Sequence, residues 1–149
     1  AELFLQGQIL FGGEESACIA VKDHLHEKDR IFAGLLVAEM VASAGRGLGA
    51  LRRDLFREYG ELTSGQRTLP LTPERAKRLK ALVQDPPAKL GRRKVTAVET
   101  IDGLKLDFDG DRWLVVRMSG TEPLIRCYAE AETRDEVEAL LKKGLEAVR

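Results

Sequence analysis

Between residues 95 and 132 the chain alternates apolar and polar positions at the two-residue period of half-buried strands, and helical spacing brackets that region on both sides. Leu104, Leu106 and Phe108 alternate with Lys105 and Asp107, and similar runs cover 95–100, 113–117 and 125–132. Asp102-Gly103 and Asp109-Gly110 separate the runs as hairpin turns. Upstream, Thr72 followed by Pro73 reads as a cap and first helical position, opening a helix toward Val83 that stops before Pro86-Pro87. Downstream, Thr133-Arg134-Asp135-Glu136 reads as a capping box, and Val137, Leu140, Leu141, Leu145 and Val148 form one apolar stripe. From about Arg67 the order is helix, four strands, helix. That order predicts an α+β unit with a four-stranded antiparallel sheet and both helices on one face.

The amino-terminal part reads differently. Leu3, Phe4, Leu5, Ile9, Leu10 and Phe11 suggest a buried strand over 1–11 that feeds a Gly12-Gly13 turn. A mostly apolar helix is expected over 31–41, with Gly45 as its stop. Leu48, Leu51, Leu55, Phe56 and Tyr59 predict a second, amphipathic helix. One strand and two helices have no evident sheet to complete. The boundary is placed between Gly60 and Thr68, giving domains 1–60 and 67–149.

Lysine and arginine total 24, as do aspartate and glutamate, so no global positive field gathers nucleic acid. Nor do the strands interleave basic and aromatic residues, with only Trp113 and Tyr128 near them. No apolar run approaches the roughly 20 residues of a membrane span, and no signal peptide is visible. Cys18 and Cys127 lack metal-ligand spacing, so a cytoplasmic protein with free thiols is expected.

Candidate chemistry concentrates in Arg117-Met118-Ser119-Gly120-Thr121-Glu122-Pro123-Leu124-Ile125-Arg126, a polar turn between two apolar runs. Ser119 and Thr121 offer hydroxyls, and Gly120 is expected at positive φ, turning amides toward a common point. Arg117 and Arg126 add planar, permanently charged forks. A dianion there would gain several charge-assisted hydrogen bonds of roughly 1.5–3 kcal/mol each. The competing reading is a surface turn whose arginines pair with Glu122 or Glu130.

A second segment, Phe11-Gly12-Gly13-Glu14-Glu15-Ser16, precedes this one. On its own it reads as a helix start capped by Ser16. Together, G-E-x-S and R-x-S-G-T-E-P-x-x-R resemble the α-D-phosphohexomutases, the family of phosphoglucomutase, phosphomannomutase and phosphoglucosamine mutase. The resemblance implies that Glu14 and Ser16 hold sugar hydroxyls, while Arg117, Ser119, Gly120, Thr121 and Arg126 hold the non-transferring phosphate. It implies the tail of an α/β third domain followed by a fourth domain of TATA-box-binding-protein-like fold. It further implies phosphate transfer between the C1 and C6 hydroxyls of a hexose through a phosphoserine and a hexose 1,6-bisphosphate, with magnesium in the complete enzyme. The partners implied are a phosphorylated hexose and the remaining mutase domains, with no nucleic acid and no membrane. Ala17-Cys18 follow the sugar loop where many mannose- and glucosamine-type relatives have glycine-histidine, a departure that resembles the glucose branch. Lys28-Asp29-Arg30-Ile31 resembles that branch's K-D-G-I, although Asp29 also serves as a plain N-cap.

No catalytic residue is assigned to this chain. A serine loop like T-A-S-H-N-P and an upstream magnesium loop are absent from the sequence, so the chain is expected to be a carboxy-terminal portion without turnover alone. Glucose specificity is the expectation, and the alternatives are phosphomannomutase specificity or a phosphosugar-binding or interaction module without catalysis. Asp107-Phe108-Asp109-Gly110-Asp111-Arg112 matches the family's D-x-D-x-D-R magnesium pattern, yet its place at a hairpin marks it as a turn, and no metal is assigned. His24 and His26 lack further ligands at convincing spacing, and Cys127 in an apolar run reads as core.

Overall fold

The computed structural model describes residues 6–13, 18–24 and 29–149. The chain divides into two compact units, 1–59 and 60–149.

In the first unit β1 (Phe11–Gly13) and β2 (Ile19–Val21) form a short antiparallel hairpin. The expected buried strand over 1–11 is replaced by this hairpin, with residues 1–5 outside the described residues. Leu10 and Phe11 are exposed, because no described residue of the unit covers them. Helix α1 (Arg30–Ala44) is capped by Asp29, whose Oδ1 accepts from the Phe32 amide at 2.9 Å, and it ends at Gly45 in the left-handed region. Helix α2 (Leu48–Tyr59) follows. Only Cys18 and Ala33 are buried among this unit's described residues. Among the described residues, two helices and two three-residue strands cannot enclose a core.

The second unit can. Its strands are β3 (Thr63–Pro70), β6 (Ala97–Glu99), β7 (Leu104–Phe108), β8 (Arg112–Met118) and β9 (Leu124–Ala131), in the order β3-β9-β8-β7-β6 and antiparallel throughout. A small separate pair, β4 (Lys89–Leu90) with β5 (Arg93–Lys94), follows helix α3 (Pro73–Gln84). Helix α4 (Arg134–Ala147) closes the fold. The sheet therefore has five strands where sequence reading predicts four. β3 escapes that reading because Thr63-Ser64-Gly65-Gln66-Arg67-Thr68 carries no apolar alternation and Pro70 argues against a strand. Its position at the sheet edge tolerates the proline, and register pairing with β9 from Thr63↔Ala131 to Pro70↔Leu124 supplies the order.

Leu104, Leu106 and Phe108 of β7, Leu114 and Val116 of β8, and Ile125, Cys127, Ala129 and Ala131 of β9 fill one face of the sheet. Leu79 of α3 and Val137, Leu140, Leu141 and Leu145 of α4 cover it. A Cβ at Gly65 would lie 2.7 Å from Val137 Cγ1, and one at Gly144 would lie 2.9 Å from Cys127 Sγ. Two missing side chains thus let α4 approach the sheet closely. The other face carries no helix of this unit.

Thr133 caps α4, its Oγ1 accepting from the Glu136 amide at 3.3 Å. The Glu136 carboxylate accepts from Arg112 Nε at 2.9 Å and Arg93 Nη2 at 2.8 Å. Its other oxygen accepts from Thr133 Oγ1 at 3.4 Å, so one carboxylate ties the helix cap to β8 and β5. Arg112 first, then Arg93, holds this carboxyl below the usual glutamate range. A lowered folded-state pKa stabilises above the unfolded value and is lost as pH falls through it. The unfolding temperature is expected to drop as pH falls below about 4.5. Glu136→Gln should fall less steeply over the same range in a thermal-melt pH series.

Candidate functional site

Strand alternation aims Val116 and Cys127 into the core and so turns Arg117 and Arg126 to the helix-free face. The two arginines are register partners across β8 and β9, and Thr68 of β3 faces Arg126 from the other side. Both guanidinium side chains are about a quarter exposed, at 29% and 26%. The turn between them, residues 119–123, is pinned at its ends. The Ser119 amide donates to Leu124 O, the Leu124 amide to Glu122 O and the Leu71 amide to Pro123 O, each at 2.8 Å. Among the described residues, the amides of Gly120, Thr121 and Glu122 donate to no backbone carbonyl.

The expected role of Gly120 needs correction. Its φ is not positive, unlike that of Gly103 or Gly110, because the end-pinned turn makes its reversal without the left-handed region. A Cβ there would meet nothing within 4 Å. The missing side chain contributes open space above the turn.

Each arginine already has a carboxylate. Arg117 Nη1 lies 3.4 Å from Asp102 Oδ2, and Arg126 Nη2 donates to Glu122 Oε2. The competing turn reading anticipates the Glu122 pair, whereas Glu130 instead accepts from Trp113 Nε1 at 3.1 Å. Asp102 reaches Arg117 because Gly103 lies against the strand, where a Cβ would sit 2.5 Å from Val116 O and 2.7 Å from Arg117 Cβ. Tyr128 completes the cluster, with Arg117 Cζ 5.8 Å from its ring centroid. Tyr128 and then Glu122 hold the Arg126 guanidinium above its ordinary pKa. Asp102, Tyr128 and Thr68 are neighbours that sequence reading did not find, since only strand register brings them to the arginines.

Glu14 and Ser16 lie outside the described residues, as does His26. His24 stacks on Phe32 at 4.0 Å between ring centroids, and its Nε2 lies 3.3 Å from Asp29 Oδ2. The Asp107–Asp111 segment does not fit a cation. Phe108 is buried in the core, Asp107 faces Lys105 at 3.5 Å, and the Asp109 carbonyl accepts from Arg112. No group of three or more acidic, histidine or cysteine residues could hold a metal ion among the described residues. Burial pushes the Cys127 thiol up to about 12, which keeps it protonated and inert near neutral pH.

Residues 72–147 match the family described as "Phosphoglucomutase/phosphomannomutase, C-terminal domain". Residues 1–59 match "Phosphoglucomutase/phosphomannomutase, alpha/beta/alpha domain III". The chain belongs to the phosphohexomutase family. A "Probable phosphoglucosamine mutase" of Pyrococcus abyssi is 33% identical over 99% of this chain and 31% of its own length. A "Phosphoglucomutase/phosphomannomutase" of Thermococcus kodakarensis is 30% identical over 97% of this chain and 30% of its own. A Thermus thermophilus protein crystallised under a phosphomannomutase assignment superposes with a TM-score of 0.67 at 31% identity, over 99% of this chain and 28% of that one. The chain spans about a third of the length of the curated phosphohexomutases it matches. Among the described residues no single helix is long and apolar enough to cross a membrane.

Proposed function

We propose that this chain supplies the phosphate-gripping part of a phosphohexomutase that interconverts hexose 1-phosphate and hexose 6-phosphate. The observation that carries the reading is the pair Arg117 and Arg126, set side by side on the helix-free face and flanking a turn with three amides that donate to no backbone carbonyl. Two forks and a row of N–H donors suit the oxygens of a phosphate monoester, which needs several donors from one side. Ser119 and Thr121 would add hydroxyls, and Gly120 leaves the approach open. Glu14 and Ser16 of the first unit would hold ring hydroxyls.

The grip does no bond chemistry. Its use is to spend the binding energy of the distant phosphate on positioning the reacting hydroxyl. A phosphoserine in the remaining mutase domains would exchange the phosphoryl group through a hexose 1,6-bisphosphate, with magnesium held there and not by these residues. Ala17-Cys18 after the sugar loop favours glucose over mannose as the hexose. A cytoplasmic setting accords with two buried cysteines that form no disulfide.

The test is titration of the 149-residue chain with glucose 1-phosphate, mannose 1-phosphate and inorganic phosphate. Weak binding is expected for all three, and Arg117→Ala should weaken it at least about tenfold, the loss of one charge-assisted contact. Equal affinity in wild type and variant would remove the phosphate site. Turnover by the chain alone, with magnesium and bisphosphorylated sugar, would refute its dependence on other domains.

A further inference from the structure

Like charges directly opposite each other on adjacent strands repel, and Arg117 faces Arg126 across β8 and β9. In the free protein a carboxylate meets each of them. Asp102 comes from the turn between β6 and β7, and Glu122 from the turn that joins the two arginine strands. We propose that Asp102 and Glu122 are counterions that compete with phosphate for Arg117 and Arg126, so that these two acids set how tightly the turn holds a phosphate monoester. The inference rests on the phosphate reading of this site and concerns its regulation.

The charge balance is the first reason. Two guanidiniums carry two positive charges, two carboxylates neutralise them, and a phosphate monoester near neutral pH carries a charge of about −1.5 to −2. The incoming anion therefore replaces the two acids almost charge for charge. Accessibility is the second. The Asp102 and Glu122 side chains are 73% and 52% exposed, so each can return to water without stranding a buried charge. The third reason is an alternative partner. Asp102 borders a cleft of about 290 Å³ between α3 and β8, and Lys80 borders the same cleft. Lys80 is thus a basic residue that shares this cleft with Asp102.

A purely structural role predicts the opposite sign. Were the acids holding the arginines in a productive arrangement, removing them would loosen the grip and weaken binding.

The experiment is a calorimetric or amide-NMR titration of the full chain with inorganic phosphate at low ionic strength. It compares wild type, Asp102→Asn, Glu122→Gln, the double variant and Arg117→Ala. Asparagine before Gly103 keeps a favoured turn pair, and glutamine preserves the shape of Glu122. Each single substitution is expected to tighten phosphate binding about two- to fivefold, the range of an exposed ion pair. The gain should shrink as salt screens the pairs. Binding seen only in the acid-depleted variants would also support competition. Unchanged or weaker binding in those variants, with wild-type binding that Arg117→Ala removes, would overturn the counterion role and leave the phosphate site standing. No binding by any variant would overturn both.

Discussion

Leu114→Ala is expected to cost the second unit about 2–5 kcal/mol, the range for truncating a fully enclosed leucine. Leu114 is 1% exposed and stands in register with Leu106 on one side and Ala129 on the other. Above it, the Cα of Gly144 comes so near that a Cβ there would lie 2.9 Å from Leu114 Cδ2. Helix and sheet are in direct contact at this point. A unit of this size loses roughly 4–8 °C of unfolding temperature per kcal/mol, so the midpoint should fall by on the order of 10 °C or more. Thermal and denaturant unfolding would measure it. A shift below about 3 °C would show that the sheet collapses around the gap and that the close contact with α4 is looser than described.

Arg126→Ala should separate binding from folding. Phosphate affinity is expected to fall about tenfold or more, since one charge-assisted fork is removed. Stability should change by no more than about 1 kcal/mol, because the ion pair that is lost is exposed. Glu122, 52% exposed, is left in water and not stranded. Arg126→Lys should recover only part of the affinity. The ammonium keeps the charge but loses the planar pair of donors, and Arg126 Nε, which has no hydrogen-bond partner among the described residues, would have no counterpart. An Arg126→Ala chain that binds phosphate like wild type, or that melts many degrees lower, would break the assignment of Arg126 to the grip.

Local signals explain how much of this was readable beforehand. The caps at Thr72 and Thr133 and the turns at Asp102-Gly103 and Asp109-Gly110 depend on neighbours a few residues away. The apolar stripes of β7 and α4 follow from periods of two and about 3.6, which any sheet or helix imposes. β3 has no such signature. Its order comes from pairing with a strand some sixty residues later and from the space that Gly65 leaves under α4. Gly120 shows the reverse error, since glycine in a turn suggests positive φ, while here its missing side chain serves only to leave room.

Sequence alone determined the family, the two helices and four sheet strands of 72–147, though not the β4–β5 pair, and the two arginines bracketing a polar turn, because each is written in residue type and short spacing. Only tertiary structure decided that those arginines share one face, that Asp102 meets Arg117, and that Tyr128 and Thr68 stand beside them. Strand register fixes such neighbours. It arises from hydrogen bonds and packing between distant segments, and no short stretch of sequence contains it.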